Sequence, residues 1–279
     1  MALSDMLEAA AAGGSVEVDT GWTQGRAIYG GLTGALLLAS VKGRLRERAG
    51  GDGAPPPPEA AEPPPLRSLT VSFVGPATPG RVELQPEVLR VGKNVTQCQA
   101  TMRQDGEVVA VALASFGRHR ESALTVAPSH PAPDLGAPDA VEAFPYIEGM
   151  TPEFYRFLEL RQIGGALPYG GADTSGLTGW CALREQPERF REEHLVAIAD
   201  AWPPAPLQML SGFAPASSLT WTLELVAEVN AGTVAPEGRF AYEVATDAAR
   251  DGYAHTHAML WRPDGELVAI SRQSITVFG

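Results

Sequence analysis

Two histidines stand at alternate positions, His255 and His257. Alternate side chains of a β-strand point to the same face, so the pair could bind a metal ion. A two-residue hairpin turn at residues 264–265 would, however, set Gln273 opposite Thr256 and leave both histidines on the other face of the hairpin. No third ligand is evident in the sequence. We therefore predict that the protein has no metal site.

The sequence lacks the motifs of several well-known enzyme classes. The glycine-rich residues 169–171 have neither the lysine nor the spacing of a phosphate-binding P-loop, and we predict a turn there. There is no Gly-x-Ser-x-Gly nucleophile elbow, which argues against an α/β-hydrolase. The two cysteines, Cys98 and Cys181, form no Cys-x-x-Cys pair, and we interpret both as small core residues.

The bulk composition is that of a folded, acidic protein. Its 279 residues are 44% hydrophobic and 19% charged, with a formal net charge of −12. This charge argues against nucleic acid or an anionic membrane as the main partner, because both favour clustered Lys and Arg. The first residues have no basic segment, so they do not resemble a signal peptide, and no apolar run reaches the roughly 18 residues of a membrane span. We expect a cytoplasmic protein with no membrane and no nucleic-acid partner.

The chain contains an internal repeat. Residues 103–110 (RQDGEVVA) return as residues 262–269 (RPDGELVA), at an offset of 159 residues. The tripeptide Ser-Leu-Thr of residues 68–70 returns at residues 218–220, and the order of the two echoes is the same in both halves. Repeats so far apart exceed the period of solenoid proteins and indicate a duplicated domain.

Each echo contains a hairpin signal. Asp-Gly between alternating apolar residues predicts a two-residue type I′ turn, in which both central residues have positive φ. Each half is therefore expected to end in a long antiparallel hairpin, over residues 95–103 with 108–116 and 253–261 with 267–277. We predict further strands at residues 66–74, 82–91, 217–229 and 239–245.

One long helix is predicted in each half. In the first half, apolar residues recur at helical spacing over about residues 29–48, and basic residues lie at the C-terminal end, as the helix dipole favours. In the second half, the helix covers about residues 192–202 and ends at Pro203. Gly30 and Gly31 are costly in a helix, and they indicate a close approach of the backbone to another surface.

Proline-rich segments divide the chain. Residues 51–65 form a loop within the first half, and residues 127–143 join the two halves. We predict an N-terminal unit of residues 1–126, a linker of residues 127–143 and a C-terminal unit of residues 144–279. Each unit holds one helix followed by antiparallel strands, which predicts an α+β fold with the helix packed across a curved sheet.

This duplicated layout resembles the double-hotdog acyl-CoA thioesterases, in particular the bacterial thioesterase II (TesB-like) class. The resemblance covers about residues 15–277. Its motifs occur in the family's order, and they are residues 25–31 (GRAIYGG), 68–73 (SLTVSF), 198–200 (IAD), 218–220 (SLT) and 271–273 (SRQ). Each motif alone is weak, but the ordered set on a duplication is specific. The resemblance implies a double hotdog, two tandem units in which a long helix packs on a curved antiparallel sheet.

The resemblance also implies a set of catalytic residues. In this family the second half supplies an Asp on the helix, a Ser or Thr on the following strand and a Gln on the last strand, and together they orient the attacking water. By position these are Asp200, Ser218 and Gln273. Many relatives have an acidic residue where this chain has Thr220, so Thr220 is a second candidate for the hydroxyl role.

These residue types suit thioester hydrolysis. A carboxylate can take a proton from water, while hydroxyl and amide groups hold that water in one orientation. Backbone N–H groups at the glycine-rich start of the first helix, Gly30 and Gly31, are candidates to stabilise the oxyanion. At the 159-residue offset Gln273 corresponds to Ala114, so we expect one catalytic centre per chain, with its polar residues in the second half.

Two other function classes remain open. A degenerate hotdog protein would bind acyl-CoA or an acyl chain without hydrolysing it. A hotdog hydratase or dehydratase would use a histidine base with an acid partner, for which His194 and Asp200 are candidates. Their spacing of six residues puts them on different faces of a helix, which weakens that alternative.

The resemblance implies acyl-CoA as the substrate, with no cofactor, since coenzyme A is part of the substrate and then a product. A homodimer of fused units is expected by analogy with other hotdog proteins.

Overall fold

A computed structural model describes residues 1–50, 62–230, 232, 234 and 238–278. It contains two compact units, Met1–Thr125 and Val126–Gly279. Most of the loop predicted at residues 51–65 lies outside the described residues. The predicted linker of residues 127–143 is part of the second unit, where Arg161 Nη1 donates a hydrogen bond to Val141 O at 2.6 Å. In the described part of the chain, no helix is both long and apolar enough to cross a membrane.

The first unit is an antiparallel sheet with a long helix. Its sheet order is β1-β5-β6-β7-β4, and β2 and β3 form a separate short ladder. The elements are α1 (Leu3–Ala12), β1 (Gly14–Val18), β2 (Thr23–Gln24), β3 (Ala27–Ile28), α2 (Gly30–Gly50), β4 (Leu66–Phe73), β5 (Gly80–Val91), β6 (Val95–Gln104) and β7 (Glu107–Gly117).

Helix α2 is the core of the first unit. Every residue from Gly31 to Gly43 is buried, because the helix packs on β5, β6 and β7 and is crossed by α1. The predicted long helix is confirmed. Helix α1 was not predicted, although Leu3, Met6, Leu7 and Ala10 are buried at helical spacing.

The second unit repeats the design with a shorter helix. Its sheet order is β10-β13-β12-β11-β9-β8. The elements are β8 (Leu158–Gly165), β9 (Gly176–Leu183), α3 (Glu192–Ala199), β10 (Ala216–Leu225), β11 (Phe240–Arg250), β12 (Tyr253–Trp261) and β13 (Leu267–Val277). Strands β8 and β9 were not predicted.

Helix α3 ends three residues earlier than predicted. Asp200 leaves the helix, with φ −101° and ψ 9°, and Ala201 N donates to Ile198 O at 3.0 Å to close the last turn. Pro203 and Pro204 follow, and the residue before a proline avoids helical conformation. Asp200 is therefore the C-cap of α3 and not a residue within it.

The two Asp-Gly turns differ. In the first, Asp105 and Gly106 both have positive φ, 52° and 85°, as a type I′ turn requires. In the second turn, Gly265 has positive φ but Asp264 does not. Gly265 N donates a hydrogen bond to Arg262 O at 2.9 Å. The type I′ prediction is wrong there, because a type I turn closed by a left-handed glycine replaces it. A register shift after Leu260 compensates, so the predicted pairing of Thr256 with Gln273 is confirmed.

Candidate active site

Asp200 and Gln273 meet although 73 residues separate them in the chain. Gln273 Nε2 donates a hydrogen bond to Asp200 Oδ1 at 2.5 Å, and both residues are half-buried. Asp200 caps the C-terminal end of α3, where the helix dipole disfavours negative charge, so a donor from the sheet compensates the carboxylate. The pair joins the end of the helix to the middle of β13.

Gln273 lies in a row of side chains on one face of the sheet, called here the inner face. Its cross-strand partners are Trp221 on β10 and Thr256 on β12, and both are buried. Directly paired residues of antiparallel strands share a face. Trp221 Nε1 donates to Ser271 Oγ at 2.9 Å, which fixes the indole beside Gln273. The inner face therefore holds Gln273 between a fixed aromatic side chain and a threonine hydroxyl.

The pairing of β10 with β13 places the two candidate hydroxyls, those of Ser218 and Thr220, on opposite faces of the sheet. Ser218 pairs with Ile275, which is two residues from Gln273 and so lies on the inner face, whereas Thr220 pairs with Ser274 on the outer face. An irregularity between Ser218 and Thr220 makes this possible, since Leu219 is an extra residue without a partner. Ser218 shares the face of Gln273, and Thr220 is exposed on the opposite face.

The two histidines lie on the outer face. His255 Nδ1 is 3.1 Å from Ser274 Oγ, and His257 Nδ1 is 2.6 Å from Asp247 Oδ1. Arg272 Nη1 donates to the other oxygen of Asp247 at 3.2 Å. The predicted separation from Gln273 is confirmed. Among the described residues, no group of three His, Cys, Asp or Glu side chains is placed to hold a metal ion.

His194 has a structural task at the start of α3. Its Nδ1 accepts a hydrogen bond from Arg191 N at 2.9 Å, so the side chain caps the helix. The ring is almost wholly buried, with 1% of its surface exposed. Because Nδ1 already accepts this hydrogen bond, it is not available as a general base.

Aromatic residues flank Asp200. Trp202 stacks on Tyr242 with ring centroids 6.2 Å apart, and Phe144 meets Trp202 edge to face at 6.4 Å. Gly179 leaves room for Trp202, because a Cβ there would lie 2.8 Å from Trp202 Cζ2. Burial raises the pKa of Tyr242, and electrostatic interactions with the neighbouring Cys181 and Asp200 side chains raise it further. No sequence pattern marks Tyr242, and its position on the inner face follows from its pairing with Leu260.

The cysteines are buried thiols, as predicted. Burial raises the pKa of Cys98 to about 11 and that of Cys181 to about 12. Since the thiolate is the nucleophile, neither cysteine is activated for attack on a thioester at neutral pH.

Gly30 and Gly31 open α2 in the first unit. A Cβ on Gly31 would lie 2.5 Å from Tyr29 Oη, so the fully buried Tyr29 ring requires a glycine at this position. The N–H groups of the first helical turn have no acceptor within the helix. Packing therefore accounts for Gly31, and the oxyanion role of both glycines stays a prediction.

The chain matches the two domain models of one protein family. The model of the acyl-CoA thioesterase N-terminal domain matches residues 18–117, and that of the acyl-CoA thioesterase C-terminal domain matches residues 138–277. No curated protein sequence matches the chain.

Solved structures share the fold over nearly the whole length. A conserved protein of unknown function with a hot dog fold from Alicyclobacillus acidocaldarius is 21% identical, with a TM-score of 0.78, over 95% of this chain and 92% of that one. A putative thioesterase II from Thermobifida fusca is 22% identical, with a TM-score of 0.73 and the same coverage. The tesB protein of Mycobacterium avium subs paratuberculosis is 14% identical, with a TM-score of 0.74 and full coverage of both chains.

These matches confirm the predicted α+β double hotdog and the resemblance that the ordered motifs indicated. Because the two family models together span most of the sequence, the chain belongs to the acyl-CoA thioesterase family and is a thioester hydrolase.

Proposed function

We propose that the protein hydrolyses acyl-CoA to a free acid and coenzyme A by direct attack of a water molecule that Asp200 activates. The observation that carries this proposal is the hydrogen bond from Gln273 Nε2 to Asp200 Oδ1. That bond places the Asp200 carboxylate beside the Gln273 amide, where the carboxylate can accept a proton from water. The carbonyl oxygen of the Gln273 amide can accept the other water proton, which orients the lone pair for attack.

The proton balance needs no further acid. Water loses a proton to Asp200 as its oxygen bonds to the thioester carbonyl carbon, and the tetrahedral intermediate forms. When the C–S bond breaks, Asp200 returns the proton to the coenzyme A sulfur, so the carboxylate is restored. The high thiol pKa values of Cys98 and Cys181 support a route without a cysteine nucleophile.

Ser218 is the proposed hydroxyl that helps to hold the water. Its position on the inner face, the face of Gln273, supports it over Thr220 on the outer face. Gly30 and Gly31 remain the proposed donors to the oxyanion, since first-turn amides of a helix carry partial positive charge.

The experiment is release of free thiol from a panel of acyl-CoAs, with Asp200→Asn compared with wild type. The amide cannot accept the proton, so kcat should fall by about 100-fold or more, the range of general-base catalysis. Asp247→Asn is the matched control, because Asp247 is an aspartate of the same unit that pairs with His257 on the outer face.

Three results would contradict the proposal. One is full activity in Asp200→Asn, and another is an equal loss in Asp247→Asn. The third is binding of acyl-CoA by the wild type with no thiol release from any member of the panel, which would indicate a binding protein or a hydratase. We also propose that the protein is cytoplasmic and forms a homodimer. Analytical ultracentrifugation tests whether it is a dimer.

A further inference from the structure

A cavity of about 270 Å³ lies in the first unit, where the C-terminal end of α2 meets the turn between β5 and β6. The residues that matter for its chemistry are Arg48, Glu62, Lys93, Asn94, Thr96 and Arg118. Eighteen residues separate Gly30 from Arg48, so at 1.5 Å per residue this end of α2 is about 27 Å from the glycine pair. The cavity is therefore distinct from the start of α2.

Three cationic side chains converge on the cavity from three different elements. Arg48 is in the last turn of α2, Lys93 is in the β5–β6 turn, and Arg118 directly follows β7. Helix-dipole compensation could account for Arg48, but it does not account for two cations that belong to the sheet.

Within the part of the chain that the structure describes, these three cations differ from their neighbours in having no ion pair. Arg44 pairs with Glu47 at 3.0 Å, and Arg46 pairs with Glu62, the acidic residue of the lining, at 3.4 Å. For Arg48, Lys93 and Arg118, no carboxylate within the described ranges 1–50 and 62–230 lies at ion-pair distance. Although the net charge of the chain is −12, three positive charges around one cavity have no acidic partner among the residues that the structure describes.

The backbone holds this arrangement in place. Gly92 N donates to Val95 O at 2.9 Å, which closes the turn that carries Lys93. Arg118 N donates to Asn94 O at 3.2 Å, which ties the end of β7 to the same turn. Thr96 is buried at the wall and offers a hydroxyl. Arg48, Lys93 and Arg118 are exposed at the rim of the cavity. Positive charges around one cavity repel one another, and a bound anion would relieve that repulsion.

We propose that this cavity binds the phosphate or pyrophosphate group of a small phosphorylated molecule. Arginine presents paired N–H donors that match phosphate oxygens, and lysine adds a point charge. Three cations balance the two or three negative charges of such a group. The small cavity and the negative net charge of the chain favour a small ligand over nucleic acid. The lining of the cavity contains none of the proposed catalytic residues, so either proposal can fail without the other.

The test is titration calorimetry of the full chain with inorganic pyrophosphate, ADP and coenzyme A at low salt. Lys93→Ala and Arg118→Ala should each weaken pyrophosphate binding about tenfold or more, since each removes a charge-assisted contact. Arg118→Lys should recover part of the affinity, and added salt should weaken binding in the wild type. Arg81→Ala is the matched control, because Arg81 is an exposed arginine of the same unit on β5. Circular dichroism of each variant checks the fold.

Tighter binding of ADP or coenzyme A than of pyrophosphate supports the site and assigns its phosphate to a nucleotide. Equal affinities support the site and assign it to the phosphate group alone. The proposal is overturned if pyrophosphate shows no saturable binding, or if Arg81→Ala loses as much affinity as the cavity variants. It is also overturned if an acidic carrier protein binds to this face while pyrophosphate does not.

Discussion

Ser218 and Thr220 are two residues apart, yet the extra residue Leu219 turns them to opposite faces of β10. We predict that Ser218→Ala lowers kcat for thiol release about tenfold, because the attacking water loses one hydrogen bond of about 1 kcal/mol or more. Thr220→Ala should leave kcat unchanged, since its hydroxyl faces away from Gln273. Both substitutions remove a hydroxyl from the same strand, so each is the control for the other. A loss in Thr220→Ala alone would reverse the assignment.

The proposed catalytic residues could be predicted from the sequence only through the family's order of motifs. No local pattern near Asp200 or Gln273 shows that they touch. The choice of hydroxyl could not be predicted, because a bulge depends on strand pairing and leaves no mark in the tripeptide. The two Ser-Leu-Thr echoes illustrate this: Leu69 is buried, whereas Leu219 is 38% exposed.

At the scale of elements, α1 crosses α2 at Gly43. A Cβ on Gly43 would overlap the carbonyl oxygen of Ala11, so the two helix backbones touch there. We predict that Gly43→Ala lowers the free energy of unfolding by about 1–3 kcal/mol, the usual cost of overpacking a core. Chemical denaturation measures this change. Gly212→Ala is the control, since a Cβ there meets nothing within 4 Å, and an equal effect of both substitutions would contradict the packing argument.

A group of ions joins β8 to the residues before β11. Glu159 Oε1 accepts hydrogen bonds from Arg161 Nε at 2.9 Å and from Arg239 Nε at 3.2 Å. Burial alone would raise the pKa of Glu159, but the two guanidinium groups outweigh it and lower the pKa below its ordinary value of 4.5. The charged carboxylate therefore stabilises the fold fully when the pH is above 4.5, the ordinary pKa of a glutamate. This stabilisation is lost as the pH falls through the lowered pKa of Glu159.

Glu159→Gln should accordingly unfold at a lower temperature than wild type at pH 7. The difference should shrink as the pH falls below 4.5 and through the lowered pKa, because both proteins then carry a neutral group. Thermal unfolding across this pH range measures the difference. If the difference in unfolding temperature did not change with pH, packing and neutral hydrogen bonds of Glu159, and not its charge, would account for the stabilisation.

The elements were predictable where the signal was local. Alternating apolar residues around Asp-Gly predicted both long hairpins, and β12 and β13 have the predicted bounds. The prediction missed β8 and β9, which lie beside glycine-rich segments, and it missed α1, which is short and depends on packing against α2. It also assigned the second turn wrongly, because Asp-Gly fits a type I turn with a left-handed glycine as well as type I′.

At the scale of the whole molecule, the two units share a design and differ in chemistry. In the first unit, Ala114 occupies the position that corresponds to Gln273, and its partners Leu69 and Cys98 are buried with it. In the second unit the corresponding row holds Trp221, Gln273 and Thr256. The apolar row can only pack, whereas the polar row can hold water. This contrast supports one catalytic centre per chain, as the sequence offset predicts.

Direct attack of water on the thioester can be tested by a single turnover in water enriched in oxygen-18. An excess of wild-type enzyme is mixed with acyl-CoA, and the reaction is quenched at early times. Mass spectrometry then measures the masses of the free acid and of the intact protein. We predict one oxygen-18 atom in the free acid and an unmodified protein mass at every time point. A protein that gains the mass of the acyl group, or that takes up oxygen-18 in place of the acid, would contradict it.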